Sequence, residues 1–162
     1  MLAASTHVFS EIYLHANWHC KWDKPRITPD LEAALFAFIC DYCQKCKGLK
    51  FFGIGGTLDH VHIVFQIEPL ADLDDWIGKV KGASSHWANK THGAGRLYWQ
   101  TGYGIVSFAK RDLAAVLKYV AEQKQRHASG RTNDTLEQHG VDERAGKTTP
   151  QEEEQGAAGK NE

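Results

Sequence analysis

Strict alternation of apolar and polar side chains marks the first element of the chain. Within residues 11–20, apolar side chains occupy every second position, namely Ile12, Leu14, Ala16 and Trp18. Such alternation predicts a β-strand with one apolar face. Two more strands are expected at 49–54 and 58–67, joined as a hairpin by a turn at Gly55-Gly56. A fourth extended segment, interrupted by glycines, follows at 97–108.

Apolar residues at helical spacing separate these strands. Pro29 after Thr28 begins a first helix, which Gly48 ends. A second helix is predicted after Pro69, and because Gly78 and Gly82 weaken it, they suggest a close approach of another backbone. A third helix spans about 111–127, with an apolar stripe at Leu113, Val116, Leu117 and Val120.

The order β-α-β-β-α-β followed by a helix predicts an α+β fold. It is the ferredoxin-like split β-α-β arrangement, an antiparallel sheet with two helices on one face and a further C-terminal helix. In the strand at 58–67, Val61, Ile63 and Phe65 face the two helices, and His60 and His62 point to the opposite face.

Charge is distributed unevenly along the chain. Residues 1–127 carry 15 Lys and Arg against 12 Asp and Glu, and residues 128–162 carry 4 against 8. We therefore divide the chain into a domain at 1–127 and an acidic tail at 128–162, which has no apolar period and is expected to be disordered. No apolar run is long enough for a membrane span and no signal peptide is recognisable, so a cytoplasmic protein, in a bacterial-type cytosol or nucleoid, is expected.

Histidines and cysteines are the candidates for metal chemistry. His60 and His62 point the same way about 6.6 Å apart, so that neutral imidazoles could converge on one ion. His15 and His19 share their face and are rival ligands, whereas hydrogen-bonded sheet histidines are the simpler interpretation of any such pair. The cysteines at 40, 43 and 46 have helical spacing and fit packing under the sheet better than a metal cluster.

Four linked motifs give the histidines a context. DHVHIVF (59–65), WIGKVKGASSHWAN (76–89), YWQTGYGIVSF (98–108) and KYVAEQ (118–123) occur in the order and spacing of one family. In these motifs the chain resembles the single-tyrosine HUH (His-hydrophobic-His) transposases, which include insertion-sequence enzymes and REP-associated tyrosine transposases (REP, repetitive extragenic palindrome).

The resemblance implies a role for each matching residue. His60, His62 and Gln123 would bind a divalent metal, Mg²⁺ or Mn²⁺, and Tyr119 on a C-terminal catalytic helix would be the nucleophile. The implied activity is metal-dependent cleavage and strand transfer of single-stranded hairpin DNA through a 5′-phosphotyrosine. It also implies a homodimer, with the tyrosine helix docked in cis or in trans. Phosphate contacts are expected from six residues: Lys79, Lys81, Ser84, Ser85, Lys110 and Arg111.

Two other functions remain open from the residues alone. One is a domesticated hairpin-DNA-binding protein that uses the same face without cutting. The other is an unrelated metal-dependent hydrolase on the same scaffold, in which water replaces Tyr119 as the nucleophile.

Overall fold

One antiparallel sheet organises the computed structural model, which describes residues 8–140. The strands are β1 (Ile12–His19), β2 (Leu49–Gly56), β3 (His60–Ile67) and β4 (Gly104–Phe108), in the order β2-β3-β1-β4. The helices are α1 (Pro29–Gln44), α2 (Leu73–Thr91), α3 (Leu113–Ala121), α4 (Gln123–Ala128) and α5 (Asp134–Glu137). The predicted α+β, ferredoxin-like arrangement is confirmed.

The main core lies between one face of the sheet and the helices α1 and α2. Strand register places Ala16 opposite Ile63 and Trp18 opposite Val61, so the alternating apolar positions of β1 and β3 form a continuous surface. The helices bury their own stripes against it, with Leu31, Leu35, Ile39, Ile77 and Val80 all fully buried. At roughly 1.5–3 kcal/mol for each large apolar side chain, this burial fixes which face of each strand points inward.

The opposite face of the sheet carries the histidines and is covered by the C-terminal part of the chain. His19 pairs with His60 across β1 and β3, and Asn17 pairs with His62. A smaller apolar cluster holds α3 on this face, formed by Val64, Val116, Tyr119 and Val120. The sheet is therefore covered on both sides, and α3 supplies the second cover.

Local backbone differs from expectation at the hairpin and in the third helix. Gly55 and Gly56 belong to β2, and the turn is formed by the next three residues, where the Thr57 N–H donates to the His60 carbonyl (3.0 Å). The third helix is interrupted at Glu122 (φ −94°, ψ 14°), which separates α3 from α4.

Close backbone approach occurs at Gly55, not at the glycines of α2. A Cβ on Gly55 would lie 1.9 Å from the Val120 carbonyl oxygen of α3, whereas Gly78 and Gly82 have no atom within 4 Å of a Cβ position. The expectation for the two α2 glycines is wrong, because both lie on the exposed side of that helix.

Substituting Gly55 with alanine should therefore lower stability by about 1–3 kcal/mol or more, because α3 must move away from β2. The matched control is Gly78→Ala, which meets open space in an exposed helix and should stabilise by about 0.5–1 kcal/mol. Urea unfolding of both variants measures the difference. Equal stability of the Gly55→Ala variant and the parent protein would show that α3 does not lie this close to β2.

The segment 128–140 is ordered where the sequence predicted a tail. It completes α4, turns at Gly130 (φ 65°) and forms α5, whose Leu136 packs with the smaller apolar cluster. Folded structure thus extends past residue 127 to residue 140, and the remainder of the predicted tail, 141–162, lies outside the described residues. Within residues 8–140, no helix combines the length and apolar character needed to cross a bilayer.

Candidate metal and nucleophile site

His60 is held by hydrogen bonds that leave one ring nitrogen facing the interior. Its Nδ1 lies 2.6 Å from Asp59 Oδ1 and 2.9 Å from Thr57 Oγ1. Burial opposes ionisation of Asp59, but the hydrogen bonds from His60 and Thr57 outweigh it and lower the pKa of this carboxyl to about 2. An ionised carboxylate on Nδ1 fixes the proton there, so that His60 Nε2 keeps a free lone pair.

His62 is oriented by a second histidine. His15 Nε2 lies 2.7 Å from His62 Nδ1. Burial lowers the pKa of His15 to about 3 and also lowers that of His62, so both rings are neutral at pH 7. When His62 Nδ1 carries the proton that is shared with His15 Nε2, the Nε2 atom of His62 has no proton and is a hydrogen-bond acceptor. This atom is buried and has no hydrogen-bond partner among the described residues.

The rival histidines of β1 have other contacts. The Nε2 atom of His15 forms a hydrogen bond with His62 Nδ1, so His15 orients the His62 ring. His19 contacts Asp23 through Nδ1 (2.8 Å) and stacks on the His60 ring with 4.6 Å between centroids. His15 therefore supports His62, whereas His19 stays within ligand distance of two other groups, Asp23 with His139 and Asp59 with His60.

The C-terminal helices bring the tyrosine and the glutamine to the histidines within one chain. The Tyr119 ring on α3 lies 6.2 Å from the His62 ring, centroid to centroid. Gln123, the first residue of α4, places Oε1 3.3 Å from His60 Nε2. Both side chains are buried. The four residues to which the resemblance gives metal-binding and nucleophile roles therefore lie together at one place.

Glu137 of α5 is a fifth member of this site, which sequence reasoning missed. The Tyr119 hydroxyl donates a hydrogen bond to Glu137 Oε1. The other oxygen, Oε2, lies 3.3 Å from His127 Nε2, 3.4 Å from His62 Nε2 and 3.7 Å from His60 Nε2. Although burial opposes ionisation, the nearby His62 and the hydrogen bond from Tyr119 keep the pKa of Glu137 well below its ordinary value.

The hydroxyl of Tyr119 is held from two sides. Besides donating to Glu137, it accepts a hydrogen bond from the Asn133 backbone N–H (2.9 Å). Burial, together with the neighbouring carboxylate, raises the pKa of Tyr119 above its ordinary value. The side chain therefore remains a neutral phenol at pH 7 and needs a proton acceptor to react as a nucleophile.

The donor atoms at this site suit a divalent ion. His60, His62 and Glu137 each offer a ligand atom, and these atoms lie within 4.8 Å of one another. Ligand atoms bound about 2.1 Å from one ion are themselves roughly 3–3.5 Å apart. The spacings of 3.3–3.7 Å among these side chains and Gln123 are close to that range. Two imidazoles with carboxamide and carboxylate oxygens form a donor set compatible with Mn²⁺ or Mg²⁺.

The residues expected to contact phosphates divide into accessible and internal groups. Lys79, Lys110 and Arg111 are exposed. Ser84 of α2 is fully buried, and its hydroxyl accepts a hydrogen bond from the Trp99 indole N–H (3.0 Å). Ser85 donates to the Leu97 carbonyl oxygen (2.6 Å).

Lys81 belongs to the internal group. Only 8% of its surface is exposed, and its ammonium donates to the carbonyl oxygens of Thr101 (2.9 Å) and Gly102 (3.0 Å). The structure does not present Lys81 and Ser84 to a phosphate, because both side chains are buried and hydrogen-bonded to the segment before β4. The same helix α2 also lies on the sheet face opposite the histidines.

Burial of Lys81 has a consequence for stability. Burial lowers the pKa of Lys81 from 10.5 to about 8, so between these pH values the folded state binds fewer protons than the unfolded state, and stability rises with pH. Relative to the Lys81→Met variant, the free energy of unfolding of the parent protein should rise by up to about 3 kcal/mol between pH 8 and 10.5. Urea titrations at several pH values test this, with exposed Lys79→Met as the matched control. An identical pH slope in the Lys81→Met variant would contradict it.

Comparisons with known proteins identify the family and the fold. The family model described as "Transposase IS200 like" matches residues 8–123. A crystal structure of a protein assigned as a transposase from Deinococcus radiodurans R1 has a TM-score of 0.58 and 16% sequence identity, over 79% of this chain and 96% of that one. A REP-associated tyrosine transposase bound to a REP hairpin has a TM-score of 0.55 and 9% identity, over 82% of this chain and 76% of that one. No curated protein sequence matches this chain. Because the family model covers well over half of its length, the chain belongs to the IS200-like, single-tyrosine HUH transposase family.

Proposed function

We propose that this protein is a metal-dependent single-stranded DNA endonuclease and strand transferase that acts on hairpin-containing DNA through a 5′-phosphotyrosine. The observation that carries the proposal is the meeting of the Tyr119 hydroxyl, Gln123 and two inward-facing imidazole nitrogens in one buried site. Family membership supports DNA transposition as the process. The hairpin substrate is supported by a similarly folded transposase that was solved with a REP hairpin.

In the proposed reaction, the Tyr119 oxygen attacks a phosphorus atom of the DNA backbone and the bond from phosphorus to the 3′ oxygen breaks. The phosphate of the 5′ end stays on the tyrosine, and the departing 3′ oxygen takes up a proton to become a hydroxyl. Glu137 accepts the hydrogen bond of the phenol and so orients its oxygen, and the phenol proton passes through solvent to the departing 3′ oxygen as the bond to phosphorus forms. Attack by a 3′ hydroxyl on the phosphotyrosine reverses the step and joins strands without ATP.

His60, His62 and Gln123 would hold the divalent ion, Mg²⁺ or Mn²⁺. When bound, such an ion polarises the scissile phosphate and stabilises the charge that develops on it. Asp59 and His15 would keep the two imidazole Nε2 atoms available by binding the opposite ring nitrogens.

The remaining expectations concern contacts outside the site. Phosphate binding is proposed for Lys79, Lys110 and Arg111, which are exposed. The homodimer and the cytoplasmic location stay predictions. Because one chain already brings Tyr119 to its own histidines, docking of the tyrosine helix in cis would complete the site, and a dimer would not be required for that purpose.

A labelling experiment tests the proposal. The full chain is incubated with end-labelled single-stranded hairpins and Mn²⁺, and a denaturing gel is inspected for a labelled protein band. The adduct should appear with 5′ attachment and should disappear with EDTA. Cleavage without an adduct would instead favour a hydrolase that uses water.

A non-cleaving hairpin-binding protein is the second candidate. It is favoured by the engagement of the Tyr119 hydroxyl with both Glu137 and the Asn133 N–H, which occupies the nucleophile. Retardation of the hairpin in a native gel, with neither adduct nor cleavage at any Mn²⁺ concentration, would select this candidate.

A further inference from the structure

The carboxylate of Glu137 lies among the atoms proposed to hold the cation. Its Oε2 is 3.4 Å from His62 Nε2 and 3.7 Å from His60 Nε2, and Gln123 Oε1 is 3.3 Å from the same His60 atom. These separations are longer than the most frequent hydrogen-bond lengths and are close to the roughly 3–3.5 Å expected between ligands of one ion. The four residues come from three separate segments of the chain, so their convergence is a product of the fold.

The position of Glu137 is fixed by the segment that carries it. The Asn133 side chain accepts hydrogen bonds from the N–H groups of Thr135 and Leu136 and so caps α5. The Leu136 carbonyl accepts a hydrogen bond from the Asn17 side chain of β1 (2.8 Å), and the Gly140 N–H donates to the Tyr103 carbonyl (3.0 Å).

Two further contacts hold the end of the same segment. A Cβ on Gly104 would lie 1.9 Å from the Gln138 carbonyl oxygen, so that β4 accepts the segment only because this position is glycine. The ring of His139 stacks on that of His19 with 3.7 Å between centroids. Residues on both sides of Glu137 are therefore anchored to β1 and β4, and its carboxylate is directed at the histidines by the backbone that carries it.

One atom of the site lacks a partner that a cation would provide. His62 Nε2 is buried without a hydrogen bond among the described residues, although its ring is 0% exposed and its Nδ1 is paired with His15. A buried polar atom without a partner costs about 1–3 kcal/mol. A cation shared with the nearby carboxylate oxygen would satisfy this nitrogen and neutralise the charge of Glu137 in the same step.

We propose that Glu137 is a ligand of the divalent cation, through Oε2, in addition to His60, His62 and Gln123. This inference rests on the proposed function, because it concerns the same metal centre. The second carboxylate oxygen keeps its hydrogen bond from the Tyr119 hydroxyl, so a single side chain connects the cation to the nucleophile.

The test measures Mn²⁺ binding by the full chain without DNA, from the loss of the electron paramagnetic resonance signal of free Mn²⁺. Glu137→Gln keeps the size of the side chain and an acceptor for Tyr119 but removes the charge, and it should weaken Mn²⁺ binding tenfold or more. Asp134→Asn, an exposed change on the same short helix, is the matched control and should bind as the parent protein does. Far-UV circular dichroism and thermal unfolding verify that each variant is folded.

The His62→Ala variant separates failure of this inference from failure of the proposed function. Unchanged Mn²⁺ affinity in Glu137→Gln, with binding lost in His62→Ala, would overturn the role of Glu137 and leave the histidine centre intact. Unchanged affinity in both variants would overturn the metal centre itself. Weakened binding in Glu137→Gln but not in Asp134→Asn supports the carboxylate as a ligand.

Discussion

Replacing Tyr119 with phenylalanine should abolish the covalent protein–DNA adduct and leave hairpin binding intact. The substitution removes only the oxygen that attacks phosphorus, and no other hydroxyl of the described residues is placed to replace it beside Glu137. Loss of a nucleophile costs many orders of magnitude in other enzymes, so we expect adduct formation to fall at least about a thousandfold. The aromatic ring still packs with Val64, Val116 and Val120, which keeps α3 on the sheet.

The matched control for this variant is Tyr103→Phe. Tyr103 also donates its hydroxyl to a carboxylate, Asp74 Oδ1 at 2.9 Å, but it packs with the main core and not with the histidine face. Its variant should form the adduct at the parental rate. Thermal unfolding should show a loss of about 1–3 kcal/mol for Tyr119→Phe, because the Glu137 carboxylate and the Asn133 N–H lose a partner. An adduct of normal yield in Tyr119→Phe would place the nucleophile elsewhere.

Periodicity and motif spacing predict most of the fold, and they predict which sheet face carries the site. Alternation in residues 11–20 and 58–67 is a direct consequence of a sheet with one face in the core, so it reveals which side His60 and His62 occupy. Tyr119 lies at the flank of the apolar stripe of the third helix, so it approaches the histidines if that stripe packs on their face of the sheet. These features are local, and each is visible in a few consecutive residues.

What the sequence did not reveal depends on contacts between distant segments. Glu137 lies in a polar stretch without any apolar period, and its order comes from contacts with strands that are already folded, such as the bond from Asn17 to the Leu136 carbonyl. The Asn133 cap is the one local signal of α5, and by itself it is weak. The Asn133 cap predicts at most a short helix in this acidic segment, and it does not predict that Glu137 lies beside His60 and His62.

The predictions for Lys81 and Gly55 differ from the structure for the same reason. The sequence predicts a phosphate contact for Lys81 because lysine side chains are mostly exposed, yet the carbonyls of Thr101 and Gly102 lie where its ammonium can reach them from α2. The sequence predicts Gly55 as a turn residue, but it lies in β2, where the Val120 carbonyl leaves no room for a side chain. Both outcomes depend on the distance between elements, which composition does not encode.

Changing His62 to alanine should eliminate Mn²⁺ binding and Mn²⁺-dependent cleavage while the protein remains folded. The side chain is 0% exposed and contributes one of the two imidazole nitrogens that lie within 4.8 Å of each other and of the Glu137 carboxylate. The main core lies on the other face of the sheet and is untouched. We therefore expect a stability loss of about 1–3 kcal/mol, because His15 Nε2 loses its partner and a small cavity remains.

Mn²⁺ binding and folding must be measured on the same preparation. If His62 is a metal ligand, its alanine variant stays folded and loses Mn²⁺ binding, whereas if His62 is a structural residue, the variant unfolds. His86→Ala, an exposed histidine of α2, is the matched control and should bind Mn²⁺ and form the adduct as the parent protein does. A folded His62→Ala variant without Mn²⁺ binding identifies the ring as a ligand. A variant that unfolds, while Tyr119→Phe binds Mn²⁺ normally, would instead make His62 a structural partner of His15. Burial and the hydrogen bond between the two rings would then account for its place in β3.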